Sequence, residues 1–92
     1  MLYLIHCIDK PDSSVIRTNE RAAHIDYLKS KPIEIVMAGP TVGDDGESVT
    51  GSFLVVEAEN RAEAENFSAN DPYAKAGLFD SVLINAWKKT VG

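Results

Sequence analysis

The segment Leu2–Ile8, which reads LYLIHCI, carries large apolar or aromatic side chains at both odd and even positions. Successive side chains of a β-strand point to opposite faces of its sheet, so this pattern predicts a strand that is covered on both faces. Its leucine, isoleucine and tyrosine residues are typical of such strands. The fold therefore has to supply one layer of structure for each face of the sheet.

The segments that follow this strand predict alternating helices and strands. Pro11 breaks the strand, and a residue among Asp12, Ser13 and Ser14 can cap a helix over residues 15–30. Pro32 then ends that helix. Further strands are predicted over residues 33–38, 48–58 and 81–87, and a second helix, capped by Asn60, over residues 61–70.

The predicted order of elements, βαββαβ, indicates an α+β fold of the ferredoxin-like type in a single domain over residues 1–92. Right-handed crossovers would give a four-stranded antiparallel sheet with two helices on one face. We expect Gly39 and Pro40 to end the second strand, and Gly51 to mark a bulge or a close backbone approach. The helical residues expected to face the core are Ile16, Ala23, Tyr27, Ala62, Phe67 and Ala69.

The sheet face opposite the helices also needs a cover, because LYLIHCI and FLVVEA (residues 53–58) are apolar on both sides. A chain of 92 residues buries only a modest share of its surface by itself. The simplest cover is a second copy of the chain. We therefore expect a homodimer that packs through the sheet face.

Composition narrows the classes of function. A net charge of −5 argues against nucleic acid as a partner, because phosphate binding needs clustered basic side chains. Cys7 is the single cysteine, so we expect neither an internal disulfide nor, with only two histidines, a structural metal site. The apolar N-terminus is too short to span a membrane and lacks the features of a leader. We expect a cytoplasmic protein without a cofactor.

The predicted topology brings several polar or turn-forming residues to one end of the sheet, which is therefore the best candidate for a cleft. The first strand and the second helix both end there, and the first helix begins there. The residues concerned are Asp9, Arg17, Gly39, Pro40, Asp44, Asp45, Ser52, Asp71, Pro72 and Tyr73.

Arg17, Arg21 and His24 lie at positions i, i+4 and i+7 of the predicted first helix and so share one stripe of its surface. Two permanent cations beside a histidine disfavour its charged form. Such residues are, however, more often parts of an ordinary solvated face. His6 and Cys7 alternate with core positions and are expected to be structural.

Five motifs, in order and spacing, make the chain resemble the YciI-like (YCII-related) family of small bacterial proteins. They are DKPDS (9–13), RxxxRAAHxxYL (17–28), AGP (38–40), GxxxTGSFxVVEA (46–58) and NDPYxxAGLF (70–79). The resemblance implies a dimeric α+β barrel whose cleft holds a histidine–aspartate pair. If the resemblance holds, the relatives of this chain include a dehydrochlorinase that acts on a chlorinated hydroxyhydroquinone.

Carried over to this chain, the resemblance gives His24 as the histidine and either Asp71, which we favour, or Asp9 as its partner. A neutral imidazole oriented by a carboxylate suits general acid–base catalysis. One hypothesis is thus a small cofactor-independent enzyme that performs an elimination, isomerisation or hydrolysis on an anionic or phenolic substrate. The other is a non-catalytic module that binds a small anion, or a subunit of a larger enzyme. The residues expected to bind the ligand are Arg17, Arg21, Asp9, Gly39, Pro40, Ser52, Pro72 and Tyr73.

Overall fold

Four strands and three helices make up the computed structural model, which describes all 92 residues. The α+β, ferredoxin-like prediction is confirmed, and the structure adds one short helix before the last strand. In chain order the elements are β1 (Leu2–Asp9), α1 (Ser14–Lys29), β2 (Glu34–Val42), β3 (Val49–Glu57), α2 (Arg61–Ala69), α3 (Pro72–Lys75) and β4 (Phe79–Trp87).

The sheet is antiparallel throughout, with the strand order β2-β3-β1-β4. β1, the LYLIHCI strand, is therefore one of the two central strands. Its Ile5 lies opposite Leu54 of β3 and Ile84 of β4, and all three side chains are buried in the core under the helices. Burial of these apolar side chains is the main stabilising contribution on this face of the sheet.

The side of helix α1 that faces the core is not the side that its alanine residues predict. Ala23 is exposed, and the one buried residue of the helix is its neighbour His24. Ile16 and Tyr27 are half-buried, and the Tyr27 hydroxyl donates a 2.9 Å hydrogen bond to the Phe67 carbonyl oxygen. Alanine contributes little apolar area, so it gives a weak signal of which helix face is buried. A histidine can take the buried position only because a partner satisfies its ring nitrogen.

Helix α2 follows the prediction at Phe67, which is buried, but not at Ala62 and Ala69, which are both exposed. The small residues that pack inward are Ala64 and Ser68, which share the Phe67 side of the helix. Asn60 caps the helix as predicted, since its side-chain oxygen accepts the Glu63 backbone N–H at 2.9 Å.

Strand β2 does not end at Gly39 and Pro40, as the sequence suggested, but continues through both residues to Val42. Pro40 lies opposite Ser52 of β3. Proline is tolerated here because β2 is an edge strand, where a backbone N–H on the outer side has no partner to bond. The longer strand extends β2 alongside the end of the sheet where α1 begins.

Gly51 lies where two backbones come unusually close, as its sequence context suggested. A Cβ atom built on Gly51 would lie 2.0 Å from the Cys7 carbonyl oxygen of the neighbouring strand β1. It would also lie 3.0 Å from the Thr41 hydroxyl of β2. Only glycine fits between these two strands without moving one of them.

The sheet face away from the helices, which we call the open face, has no cover within one chain. Residues opposite one another share a face, so the rows Met37–Val55–Leu4 and Phe53–His6–Leu83 lie on it. Met37 and Leu83 are each more than half exposed.

None of the three helices is both long enough and apolar enough to cross a membrane.

Candidate functional site

His24 and Asp71 meet in the core although 47 residues separate them in the chain. His24 projects from the middle of α1, and Asp71 lies at the junction between α2 and α3. The His24 Nδ1 atom is 2.9 Å from Asp71 Oδ1 and 3.0 Å from Oδ2. Both side chains are buried. Of the two aspartates proposed from the sequence, the structure therefore pairs Asp71 with His24, whereas Asp9 contacts another residue.

The local backbone explains why Asp71 points at the histidine. Asp71 is the N-cap of α3, and its Oδ1 accepts the Tyr73 backbone N–H at 2.9 Å. Pro72 occupies the first turn of that helix, where its missing N–H has no consequence. The cap thus fixes the carboxylate, and the carboxylate in turn orients the imidazole.

The pairing decides which nitrogen of a neutral His24 carries the proton. An ionised carboxylate can only accept hydrogen bonds, so Nδ1 must be the donor to Asp71. Nε2 makes no hydrogen bond within the chain and keeps its lone pair. The geometry therefore leaves a basic nitrogen with no partner in the protein.

Tyr73 covers one face of the His24 imidazole. The two rings are stacked, with centroids 4.0 Å apart and planes 13° from parallel. The Arg17 guanidinium also lies over the Tyr73 ring, with its Cζ 4.6 Å from the ring centroid. Burial raises the pKa of Tyr73, and the charges of Arg17 and Arg21 offset part of that effect. Its hydroxyl is therefore neutral near pH 7.

Arg17 is held by hydrogen bonds to two side chains at the end of the sheet. Its Nε and Nη2 donate to the two Asp9 oxygens at 2.8 and 2.9 Å, and Nη2 also donates to Ser52 Oγ at 3.0 Å. Burial alone would lower the pKa of Arg17, but the hydrogen bond and the charge of Asp9 raise it above its ordinary value. Three of the guanidinium's five N–H groups are thus used within the protein.

A cavity of about 180 Å³ opens beside His24, between α1 and the β2–β3 side of the sheet. An apolar cavity of roughly 150 Å³ is enough to hold benzene, so this one fits a single six-membered ring. Its walls are mostly aliphatic, and its one permanent charge is the exposed Arg21. The lining residues are Arg21, His24, Ile25, Leu28, Ala38, Gly39, Pro40, Leu54 and Tyr73.

The structure divides the residues that the sequence proposed into two groups that belong to the site and a third, Asp44 and Asp45, that does not. Those that line the cavity are Arg21, His24, Gly39, Pro40 and Tyr73. Those that lie behind it, in hydrogen-bonded positions or in the α3 turn, are Asp9, Arg17, Ser52, Asp71 and Pro72.

Asp44 and Asp45 do not join the site. Both lie in the turn between β2 and β3, where Asp45 accepts hydrogen bonds from the Glu47 and Ser48 backbone N–H groups. A hydrogen bond from the Ser48 hydroxyl, together with these two backbone bonds, lowers the pKa of Asp45 to about 2. Asp45 therefore stabilises its own turn.

The sequence did not indicate which aliphatic residues line the cavity. Ile25, Leu28, Ala38 and Leu54 line it. An apolar residue that faces a cavity has the same sequence signal as one that faces the core, so periodicity alone could not have found them.

Cys7 lies beneath the site and is not suited to act as a nucleophile. Burial, with the nearby negative charges of Asp71 and Asp9, raises its pKa to about 12. The thiol is therefore neutral, whereas nucleophilic attack requires the thiolate. No group of three or more His, Cys, Asp or Glu side chains is arranged to hold a metal ion.

Comparison with known proteins identifies the family. Residues 1–88 match the model of the YCII-related domain. The chain belongs to the YCII-related family. The resemblance found in its motifs is thus confirmed. The protein YciI of Escherichia coli is 33% identical to this YCII-related protein over 96 aligned positions, which cover 97% of this chain and 98% of the relative.

Two solved structures place this YCII-related protein among others of the same fold. The 5-chloro-2-hydroxyhydroquinone dehydrochlorinase of Burkholderia phenoliruptrix, solved with 2,5-dihydroxybenzoquinone, is 41% identical, with a TM-score of 0.88 over 98% of this chain and 96% of that one. A dimeric ferredoxin-like protein from Jannaschia is 15% identical, with a TM-score of 0.50 over 96% and 97% of the two chains. The second likeness concerns the fold alone.

Proposed function

We propose that this protein is a cofactor-independent enzyme in which His24 and Asp71 perform general acid–base catalysis on a small phenolic substrate with a single ring. One observation carries the proposal. The His24 Nδ1 is bound to a buried carboxylate, while its Nε2 has no partner in the chain and the side chain lines a cavity. A histidine held in this way is poised to accept a proton from a bound ligand.

In the proposed reaction Nε2 removes the proton of a substrate hydroxyl. The imidazolium that forms is stabilised by Asp71, whose two oxygens lie 2.9 and 3.0 Å from Nδ1. The electron pair of the broken O–H bond enters the ring. If the ring carries chlorine, the imidazolium can return its proton to the chlorine-bearing carbon, which becomes tetrahedral. Removal of a second hydroxyl proton by Nε2 then expels chloride from that carbon, so that the net loss is HCl and the ring becomes a quinone. This elimination requires no separate oxidant.

The cavity supports the choice of substrate class. Its volume fits one ring, Leu28 and Leu54 offer apolar contacts to the ring faces, and Arg21 can pair with an ionised oxygen at the ring's edge. The similar dehydrochlorinase of Burkholderia phenoliruptrix was solved with 2,5-dihydroxybenzoquinone, a ligand of this size and polarity.

The direct test is turnover of a panel of chlorinated hydroxyhydroquinones, followed by chloride release and by quinone absorbance. We expect turnover of at least one member, and binding of 2,5-dihydroxybenzoquinone as a competing ligand in calorimetry. Binding of the quinone without turnover of any panel member would contradict the enzymatic proposal. It would favour the other hypothesis, a module that binds a small anion or serves as a subunit of a larger enzyme.

We also propose that two copies of the chain associate through their open faces. Leu4, Met37, Phe53 and Leu83 form an apolar surface on that face with no cover inside one chain. Two identical faces related by a two-fold axis can cover each other. A protein with the same fold, from Jannaschia, is dimeric.

A charge placed on the open face should dissociate this dimer. In sedimentation at micromolar concentration we expect the parent protein to be a dimer and Leu83→Glu to be a monomer, because burying an unpaired carboxylate is unfavourable. Val82→Glu is the matched control. Val82 is the next residue of β4, points to the other side of the sheet and is similarly exposed. A monomeric parent, or equal dissociation of both variants, would contradict the proposed interface.

A further inference from the structure

The two arginines that share a stripe of α1 make different contacts. Arg21 is exposed, lines the cavity and forms no ion pair within the chain. Arg17 is absent from the cavity wall, and its guanidinium is hydrogen-bonded to Asp9 and Ser52. A ligand in the cavity therefore has a free cation in Arg21, whereas Arg17 lies outside the cavity wall and already uses three of its five N–H groups within the protein.

Arg17 nevertheless contacts the site through the Tyr73 ring. The guanidinium lies over that ring at 4.6 Å, and the His24 imidazole stacks on the ring at 4.0 Å. Because Arg17 and His24 are two helical turns apart on α1, about 10 Å, we place the Tyr73 ring between them. The three groups form a sandwich with a carboxylate at each end, Asp9 on Arg17 and Asp71 on His24. Both end groups are thus anchored by hydrogen bonds.

Hydrogen bonding alone does not fix the plane of the imidazole. The bond from Nδ1 to Asp71 leaves the ring free to swing about that contact, and such a swing would redirect Nε2 within the cavity. The nearly parallel Tyr73 ring prevents it, since the two planes are only 13° apart. Tyr73 in turn cannot withdraw from His24, because Arg17 is packed behind it and is fixed to β1 and β3 through Asp9 and Ser52.

We propose that Arg17 is a positioning residue that acts on His24 through Tyr73, setting the plane of the imidazole rather than binding the substrate. The inference rests on the proposed function in that His24 is taken as the group that moves the proton. It assigns the two arginines of one helix stripe to separate tasks. Arg21 binds the ligand, and Arg17 holds the base in its working orientation.

The spectroscopic test does not depend on turnover. In the parent protein the stacked Tyr73 ring shifts the His24 ring protons to high field, and we expect Arg17→Gln to move these resonances back toward their ordinary positions. Arg21→Gln is the matched control, since it removes the same charge one helical turn away. With all spectra recorded at a pH at which the imidazole is neutral, it should leave the His24 resonances unchanged. His6, on the open face, serves as an internal reference in all spectra.

The kinetic test separates the two arginines by the constants they change. We expect Arg17→Gln to lower kcat by about 10- to 100-fold with little change in KM, as a misplaced reacting group does. Arg21→Gln should instead raise KM by roughly tenfold through the loss of one charged contact in an exposed position. Arg17→Lys should restore little of kcat, because an ammonium cannot form the paired bonds to Asp9.

The outcomes distinguish this inference from the proposed function. Unchanged His24 resonances in a folded Arg17→Gln variant, or a raised KM with intact kcat, would overturn the positioning role. Moved resonances without any turnover in the parent would support the positioning role and reject the enzymatic proposal. If Arg17→Gln does not fold, Asp9→Asn is the alternative, because it weakens the hydrogen bonds that hold Arg17 against Tyr73 without removing Arg17. It should move the His24 resonances in the same direction.

Discussion

Asp71→Asn is expected to lower turnover by about 10²- to 10⁴-fold while the protein remains folded. In the parent, Asp71 Oδ1 accepts the Tyr73 N–H, and both carboxylate oxygens face His24 Nδ1. In the variant the amide oxygen can keep the Tyr73 bond, which directs the amide NH₂ toward Nδ1. A donor in that place requires the imidazole to carry its proton on Nε2 instead. The nitrogen that we propose as the base then loses the lone pair that should accept the substrate proton.

Stability should change little in the same variant, because asparagine caps a helix about as well as aspartate does. We expect the melting temperature to shift by less than about 5 °C, which corresponds to about 1 kcal/mol for a domain of this size. Nitrogen chemical shifts of the His24 ring report its tautomer directly. A variant with the parent's tautomer and rate would show that the pair is structural.

His24→Gln provides the companion measurement. It should lose a similar factor in rate, and the double variant should lose no more than either single one, since residues that act as a unit are not additive. His24→Ala is less informative. It leaves the buried Asp71 carboxylate without its side-chain partner, and this loss costs about 1–3 kcal/mol or more of stability.

Gly51→Ala is expected to destabilise the fold by about 3 kcal/mol, at the upper end of the usual range for overpacking. The added Cβ would lie 2.0 Å from the Cys7 carbonyl oxygen, which is a backbone atom and cannot rotate away. Strands β1 and β3 would have to separate at this point, and Ser52, the next residue, would be drawn away from Arg17. Thermal melting should show a midpoint lower by about 12–24 °C.

Gly43→Ala is the control for this experiment. Its added Cβ would lie 3.4 Å from the Asp45 side chain, an ordinary contact. We expect a change within about 0.5 kcal/mol, as for most surface substitutions. If Gly51→Ala melts at the same temperature as Gly43→Ala, the close approach of β1 and β3 does not limit the stability of the fold.

Local patterns in the sequence were sufficient for the architecture. The doubly apolar LYLIHCI strand, the proline and serine signals around the first helix and the Asn60 cap each act within a few residues. Their order, together with the handedness of crossovers, leaves few ways to arrange four strands and two helices. The close approach at Gly51 could also be anticipated, because a glycine inside a strand signals either a bulge or a near neighbour.

The sequence could name the members of the site but not their contacts. Asp9 and Asp71 were both open as partners of His24, and Arg17 and Arg21 had the same helical spacing. The choice between them depends on where α3 and the ends of β1 and β3 lie in space. Spacing along a helix specifies a shared stripe, but it does not specify which residue of the stripe meets a neighbouring element.

What the sequence determined by itself was the order and type of the elements and a short set of chemically capable residues, because those features follow from interactions within a turn or a strand. The tertiary structure alone decided that Asp71 orients His24, that Arg17 is bound to Asp9, and that Arg21 remains free beside a cavity for one ring. These pairings join residues that are far apart in the chain. Each pairing depends on the lengths and directions of all the helices, strands and loops between its two residues. No local sequence pattern specifies these together.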